Sequence, residues 1–266
     1  MIDRQAESGA AGATRESKAG ARLGFRLLTY NIHKAIGVDR RFDPDRIGSV
    51  IRHYDPDIAL LQEVDRYAPR SGRLDLASHL ANLLDHRHRA VSMNVHLKQG
   101  RYGNATLTRF PISRQYHIDL TISWRKRRGA QHTRIHVRNG HMVRTVDVFN
   151  VHLGLSARER NRQVRMLLES PDVRRLGADD AVIVAGDVND WRGLLPPLME
   201  NEGGFRFARA ATGRPIRTFP SYAPTGALDR VFFRGPLSVT HVARSRLSVA
   251  RVASDHLPLI VDFEFV

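Results

Sequence analysis

The 266-residue sequence contains no cysteine, which excludes several kinds of chemistry. Disulfides, thiolate metal sites and a cysteine nucleophile are ruled out, so a bound metal must be held by carboxylate, amide or imidazole groups. The sequence also lacks an apolar run long enough to span a bilayer. Its first 22 residues contain no apolar segment typical of a secretory signal. We therefore expect a disordered tail over residues 1–22 and one cytoplasmic domain over residues 23–266.

Acidic residues are few relative to basic ones. The chain has 27 Asp and Glu against 42 Lys and Arg, which gives a formal net charge of +15. Such an excess favours an anionic partner, either nucleic acid, an anionic lipid surface or a phosphorylated small molecule. A general preference for Arg would replace Lys with Arg, but it would not create an excess over acidic residues. The charge is therefore expected to serve the function in part.

Apolar segments with strand and helix character alternate along the chain. Strands are predicted at FRLLTYN, DIALLQEV, NATLTRF, RTVDVFNVHL, AVIVAG, LDRVFF and LPLIVDFEF. Asp43 is predicted to cap a helix that begins at Pro44, and Ser156 with Glu159 forms a capping box for another helix. Further helices are predicted around residues 74–84 and after GDVND. Helical and hairpin connections together predict an α/β fold of mixed sheets packed face to face, with helices outside.

Polar side chains interrupt the apolar pattern where these strands begin or end. They are Asn31, Gln62, Glu63, His152, Asp187, Asn189, Asp229, Asp255 and His256. Burying one such group without a partner is strongly unfavourable, so the strand ends are predicted to converge on one polar site. Alternation along an extended segment would also place the side chains of Asp187 and Asn189 on the same side, facing one ligand.

Six motifs, TYNIH, LQEVD, NVHLG, GDVND, LDRVF and SDHLPL, occur in this order. Together they resemble the endonuclease/exonuclease/phosphatase superfamily, which includes DNase I-like nucleases, neutral sphingomyelinases and inositol polyphosphate 5-phosphatases. The resemblance extends from about Phe25 to the C-terminus. It implies a four-layer α/β sandwich, in which two packed mixed β-sheets are flanked by helices and the active site lies at one edge of the sheets.

The resemblance implies a divalent metal held by Glu63 with Asn31 beside it, and with Asp255 acting directly or through water. Oxygen ligands of this kind suit Mg²⁺ or Mn²⁺. Such a cation neutralises an anionic phosphodiester and stabilises the leaving oxygen. We therefore expect a Mg²⁺ or Mn²⁺ cofactor.

The resemblance also implies catalytic roles for five other side chains. Asp187 and Asn189 would position the attacking water and the scissile phosphate, and Asn31 would assist at the substrate. His256 would lie at the phosphate with its ring oriented by Asp229, while His152 would be a second histidine of the site. A histidine paired with a carboxylate has a fixed tautomer and a raised pKa, so it serves as a base or as a donor to the phosphoryl oxygen. The choice of general base between Asp187 and His256 stays open at this point.

Three further residues are candidates for substrate binding. Tyr102 and Asn104, in GRYGNATLTRF, are candidate phosphate or base contacts, and Arg128, in SWRKRRGAQ, is a candidate phosphate clamp. A solvated basic hairpin is the alternative interpretation of the latter segment. His33 stands where the abasic-site branch of the superfamily has a metal-binding acid, which argues against that specialisation.

These features predict a divalent-metal-dependent phosphodiester hydrolase, an endo- or exonuclease that acts on nucleic acid as a monomer. One alternative is a phosphodiesterase or phosphatase that acts on a lipid or small phosphoester. A second alternative is an inactive family member that serves as a binding module, although the complete motif set argues against it. No amphipathic basic helix with a Trp/Leu face stands out in the sequence, which disfavours membrane docking.

Overall fold

The structure is a computed structural model that describes residues 23–266. The predicted N-terminal tail, residues 1–22, lies outside the described residues. The strands are β1 Gly24–Asn31, β2 Ile58–Arg66, β3 His88–His96, β4 Arg101–Thr108, β5 Ile112–Asp119, β6 Gly129–Asn139, β7 Met142–His152, β8 Ala181–Asp187, β9 Arg206–Phe207, β10 Asp229–Arg234, β11 Leu237–Arg244 and β12 Leu259–Phe265. The α-helices are α1 Pro44–Tyr54, α2 Leu76–Leu83, α3 Ala157–Glu169, α4 Pro171–Arg174, α5 Leu195–Gly203 and α6 Ala250–Ala253.

The strands form two six-stranded sheets. Their orders are β11-β12-β1-β2-β4-β3 and β5-β6-β7-β8-β10-β9. Each sheet contains one parallel pair near its centre, β1 with β2 and β7 with β8, and its other pairs are antiparallel. Both sheets are therefore mixed, as predicted.

Alternation along β1 shows how the layers are built. Phe25 and Leu27 face the apolar core between the two sheets, while Leu28 and Tyr30 face an outer core beneath helices. Successive side chains of a strand point to opposite faces, so a strand buried on both faces contributes to two cores. This explains why the segment FRLLTYN is almost continuously apolar.

Helices cover the outer face of each sheet. Ile47 of α1 and Leu80 of α2 pack in the outer core of the first sheet. Val164 of α3 and Leu195 of α5 pack with Phe149 in the outer core of the second sheet. The order helix, sheet, sheet, helix confirms the predicted four-layer α/β sandwich. Among residues 23–266, no helix is long and apolar enough to cross a membrane.

The predicted helix starts are confirmed. The Asp43 side chain accepts a hydrogen bond from the backbone N–H of Arg46 at 3.0 Å, with Pro44 in the first helical position. The Ser156 hydroxyl accepts one from the backbone N–H of Glu159 at 3.2 Å. Each cap satisfies an amide that has no partner within its own helix, which sets where α1 and α3 begin.

Candidate active site

The carboxyl ends of β1 and β8 meet across the two sheets. The side-chain amide of Asn31 donates a hydrogen bond from Nδ2 to Oδ2 of Asp187 at 3.0 Å, and both residues are buried. The Asn31 Oδ1 accepts a hydrogen bond from the backbone N–H of His33 at 3.1 Å. Two residues that are 156 positions apart in sequence are thus in direct contact, so the predicted convergence of strand ends occurs here.

Asn189 reaches this site by a different route from the one predicted. The segment is not extended at Asn189, whose φ of 53° is in the left-handed region. The Asp187 Oδ1 accepts a hydrogen bond from the backbone N–H of Asn189 at 3.0 Å, which is an Asx turn. The Asn189 side chain then donates from Nδ2 to the Leu153 carbonyl at 3.0 Å. The prediction that alternation places Asp187 and Asn189 on the same side of an extended segment was therefore wrong. Both side chains are nevertheless buried beside the same strand ends.

His256 and Asp229 form a buried pair beside Asp187. The His256 Nδ1 lies 2.8 Å from Asp229 Oδ2, which also accepts a hydrogen bond from the Thr218 hydroxyl at 2.5 Å. The other oxygen of Asp229 is buried and has no hydrogen-bond partner among the described residues. The His256 Nε2 lies 3.7 Å from Asp187 Oδ2, beyond hydrogen-bond distance. Asp229 therefore orients the imidazole and leaves Nε2 available to a ligand.

Electrostatic interactions separate the proton affinities of these groups. Burial alone would lower the pKa of His256, but the charges of Asp229 and Asp187 outweigh it and raise that pKa to about 10. Burial raises the pKa of Asp187 and, with the neighbouring charge of Asp229, outweighs the opposing positive charge of His256. His256 is therefore a cationic donor at neutral pH, and Asp187 is a stronger base than an ordinary carboxylate.

His152 completes the group at the end of β7. Its Nε2 lies 3.5 Å from Asp187 Oδ2, which identifies the carboxylate neighbour that the sequence did not reveal. Burial, followed by the positive charge of Arg128, lowers the pKa of His152 well below its ordinary value. The imidazole is therefore neutral. Arg128 is itself 5% exposed, and its Nε has no hydrogen-bond partner among the described residues, so this buried guanidinium suits an anion.

Glu63 forms an ion pair that sequence reasoning missed. The Lys34 ammonium donates a hydrogen bond to Glu63 Oε2, and both side chains are largely buried. Both members have left-handed backbone, with φ of 64° at Lys34 and 57° at Glu63, and His33 and Ala35 share this conformation. Such conformations in residues other than glycine are strained and cluster at functional sites. Burial would raise the pKa of Glu63, but electrostatic interactions with the neighbouring His152, Lys34 and Lys126 side chains, together with the hydrogen bond from Lys34, outweigh it and lower that pKa to about 2.

Asp255 lies in the loop that leads into β12. The hydroxyl of the preceding Ser254 donates to the Asn31 carbonyl at 2.7 Å, which ties this loop to the end of β1. The Asp255 carbonyl accepts a hydrogen bond from the Ser221 N–H at 2.7 Å, while its side chain is partly exposed. The loop therefore brings Asp255 to the sheet edge that also carries Asn31.

The two other substrate-binding candidates differ in character. Tyr102 is buried on β4, with the Lys126 ammonium 5.2 Å from its ring centroid, which connects it to the basic segment at 125–128. The Asn104 side chain donates from Nδ2 to the Asn150 carbonyl at 3.0 Å and is 3% exposed. This hydrogen bond joins the two sheets, so Asn104 has a structural role whatever else it contacts.

The oxygen donors of the site fit a hard divalent cation. Glu63 and Asp255 offer carboxylate oxygens and Asn31 offers an amide oxygen, the ligands that Mg²⁺ and Mn²⁺ prefer. A second possible group, Asp187, Asp229 and His256, has ligand atoms within 4.8 Å of one another. The hydrogen bond between His256 and Asp229 already engages one ligand atom of each residue in this second group, and the choice of Glu63, Asn31 and Asp255 as metal ligands stays a prediction.

A buried His–Asp pair, a second carboxylate and oxygen donors at one edge of a four-layer sandwich are groups that hydrolysis of a phosphoester with a divalent cation requires. The chain belongs to the Endonuclease/Exonuclease/phosphatase family, whose family model matches residues 28–256. Members of this family are generally phosphoester hydrolases and typically depend on a divalent metal.

One curated protein and two solved structures illustrate what the chain is similar to. The chain is 33% identical over 244 residues to the uncharacterised protein YbhP of Escherichia coli strain K12. The match covers 88% of this chain and 94% of YbhP. A crystal structure of an endonuclease/exonuclease/phosphatase from Beutenbergia cavernae has a TM-score of 0.73 at 24% identity, covering 92% of this chain and 72% of that chain. The human Nocturnin catalytic domain, with bound sulfate, has a TM-score of 0.70 at 21% identity, covering 92% and 96% of the two chains. The two structures support the fold alone.

Proposed function

We propose that this protein is a metal-dependent phosphodiesterase that cleaves nucleic acid. The observation that carries the hydrolytic part is the cluster at the sheet edge, in which Nε2 of His152 and Nε2 of His256 lie 3.5 and 3.7 Å from Asp187 Oδ2. Asp229 holds the His256 ring from behind at 2.8 Å. These side chains come from four separate strand ends, and a structural role for the cluster would not require the open Nε2 of His256.

The residues divide the work of hydrolysis between them. His256, cationic and held by Asp229, donates from Nε2 to a phosphoryl oxygen and opposes its growing charge. Asp187, buried and more basic than an ordinary carboxylate, accepts the proton of the attacking water. Hydrogen bonds from Asn31 and Asn189 hold the Asp187 carboxylate in place. Arg128 offers its unpartnered guanidinium N–H to the phosphate. Glu63, Asn31 and Asp255 would hold the divalent cation, whose chemistry is to neutralise the phosphate and stabilise the leaving oxygen.

Nucleic acid is favoured as the substrate by the segment Arg125–Arg128. The segment lies in the β5–β6 loop, at the same sheet edge as His152, because Ala130 pairs with Val151 in the register of β6 and β7. The positive charge of Lys126 lowers the pKa of both Glu63 and His152, so the ammonium acts on the site itself. A polyanion with phosphates on either side of the scissile one would contact this segment and the site together.

A substrate panel tests the proposal. The purified chain is incubated with plasmid DNA, single-stranded DNA, RNA, sphingomyelin, inositol phosphates and a chromogenic methyl phosphodiester, each with Mg²⁺, Mn²⁺ or EDTA. Metal-dependent cleavage of a nucleic acid at higher kcat/KM than any lipid or small phosphoester is the expected result. Preference for a lipid or an inositol phosphate would reject the nuclease proposal but keep the chemistry. No hydrolysis of any substrate would reject both.

A further inference from the structure

Both tryptophans of the chain are exposed at the edge of the sheets that carries the site. Trp124 is 89% exposed in the β5–β6 loop, and Trp191 is 55% exposed in the segment that follows β8. The sequence contains only these two tryptophans. Indoles normally bury most of their surface, so two exposed indoles at the edge that carries the site call for a ligand that covers them.

Trp191 is connected to the catalytic histidine through one intervening ring. Its ring meets Phe219 edge-on at a centroid separation of 5.5 Å, and Phe219 lies 4.9 Å from the ring of His256. A Cβ at Gly226 would lie 3.0 Å from the indole, so the glycine leaves room for the ring in this position. Trp191 is thus held against the protein on one side and open on the other, about two ring contacts from the phosphate-binding group.

The segment that carries Trp191 is firmly anchored. The Asp190 carboxylate accepts hydrogen bonds from the backbone N–H groups of Leu194 and Leu195 at 3.0 and 2.9 Å, at the start of α5. The backbone N–H of Trp191 donates a hydrogen bond to the Asn189 carbonyl at 3.2 Å. An anchored aromatic ring loses little conformational entropy on binding, which is what a stacking surface requires.

We propose that Trp191 stacks on the base next to the scissile phosphate, and that the substrate class is single-stranded nucleic acid. This inference rests on the nuclease function proposed above. In a duplex the faces of the bases are already covered by their neighbours, whereas an unpaired base offers its face to an aromatic side chain. Stacking also tolerates any base, so the enzyme would cleave without strong sequence preference.

The β5–β6 loop offers matching features. Trp124, Arg125, Lys126 and Arg128 line a cavity of about 250 Å³ with Leu155. Positively charged side chains beside an exposed indole suit a single strand of nucleic acid, in which phosphates and bases alternate. Leu155 is 72% exposed, and an aliphatic side chain does not stack on bases. A lipid surface is therefore the competing occupant, and the test includes it.

The test compares two single-stranded probes of equal length in EDTA: a thymidine homo-oligomer and an abasic oligomer with the same phosphates but no bases. Trp191→Ala should weaken binding of the thymidine oligomer by about 5- to 150-fold, the equivalent of ~1–3 kcal/mol for one stacked base. It should leave binding of the abasic oligomer unchanged, and Trp191→Phe should restore most of the loss. Tyr116→Ala removes an aromatic ring of similar exposure, 44%, from the middle of β5 and should change neither probe.

Intrinsic fluorescence provides a readout that a merely structural role would not move. Trp124→Phe leaves Trp191 as the only indole of the chain, and the thymidine oligomer should quench its emission while the abasic oligomer does not. Equal losses for both probes in Trp191→Ala, or no loss for either, would overturn stacking. Weaker binding of Trp191→Ala to phosphatidylglycerol vesicles, with unchanged oligomer binding, would overturn it in favour of a lipid surface. If the wild-type chain cleaves no nucleic acid in the substrate panel, the function itself fails, whichever way Trp191→Ala binds.

Discussion

Two buried His–Asp pairs of this protein differ in how many of their polar atoms have a hydrogen-bond partner. His256 and Asp229 are 2.8 Å apart at the site, and His132 and Asp147 are 2.7 Å apart between β6 and β7. All four side chains are almost fully buried. The distance within a pair therefore does not distinguish a catalytic pair from a structural one.

The surroundings of the two pairs make the distinction. The second nitrogen of His132 meets Asp172 at 3.3 Å, its ring stacks on Phe149 at 4.3 Å, and Asp147 also accepts from Arg134. Every polar atom of that histidine has a partner. The Nε2 of His256, by contrast, has no hydrogen-bond partner closer than the 3.7 Å separation from Asp187 among the described residues. A saturated pair stabilises the fold, whereas an open pair is prepared to bind a ligand.

The largest expected effect of this difference is on turnover. His256→Ala and Asp187→Ala should each lower kcat on a chromogenic methyl phosphodiester by about 10²- to 10⁴-fold, because each removes a proton-transfer group. The double variant should be scarcely worse than either single variant, since both act on one water and one phosphate. Steady-state kinetics on all three variants checks this. Losses that multiply would show that the two residues act independently.

His132→Ala should have the opposite profile. Asp147 would keep Arg134 but lose a buried hydrogen-bond partner, so the free energy of unfolding should fall by about 1–3 kcal/mol, measured by urea denaturation. The kcat per folded molecule should stay at the wild-type value, because His132 contacts no residue of the site. A loss of kcat as large as that in His256→Ala would erase the distinction between the two pairs.

The ion pair between Lys34 and Glu63 allows a test of metal binding. If Lys34 competes with a divalent cation for Glu63, Lys34→Met should bind Mn²⁺ about tenfold more tightly, the effect of removing ~1.4 kcal/mol of competition. Glu63→Gln should bind it more weakly, because the charged ligand is lost. Both affinities are measured by calorimetric titration without substrate. Weaker Mn²⁺ binding by Lys34→Met would mean that the lysine supports the metal site instead.

A smaller effect is expected from the basic loop, in which the positive charge of Lys126 lowers the pKa of both Glu63 and His152. Replacing Lys126 and Arg127 with Gln should flatten the slope of log affinity for single-stranded DNA against log salt by about 1.4, for two lost phosphate contacts. The loss should be similar for unrelated sequences, since phosphate contacts carry no base information. Arg138 and Arg144, exposed on the β6–β7 hairpin at the opposite end of the sheet, provide the matched control. An equal change of slope in Arg138→Gln/Arg144→Gln would assign the effect to net charge.

The central strands could be predicted from sequence because they are apolar on both faces. The strands that escaped prediction are mostly at sheet edges: β3, β5, β9 and β11 each end a sheet, and β5 is almost entirely exposed. The remaining one, β6, buries polar side chains such as Gln131 and His132, which breaks the apolar pattern. An edge strand faces water on much of its surface, so its sequence carries little of the alternation by which strands are recognised.

The candidate site was predictable to the extent that it is made of polar residues at strand ends. Asn31, Asp187, Asp229 and His256 interrupt apolar segments, and the structure brings them together. Lys34 was not predictable, because three successive residues other than glycine at positive φ aim it at Glu63, and no sequence signal marks such a turn. The chemical roles assigned to Asn31, Asp187, Asp229 and His256 stay predictions.

We infer that the pair of His256 and Asp229 takes part in metal-dependent hydrolysis of a phosphodiester. The most direct measurement is the rate of hydrolysis of the chromogenic methyl phosphodiester by the wild-type chain with Mg²⁺, with Mn²⁺ and in EDTA, beside Glu63→Gln and His256→Ala under the same conditions. We expect turnover by the wild-type chain only when a divalent cation is present, with turnover reduced in Glu63→Gln and abolished in His256→Ala. Full activity in EDTA, or wild-type turnover by His256→Ala, would contradict it.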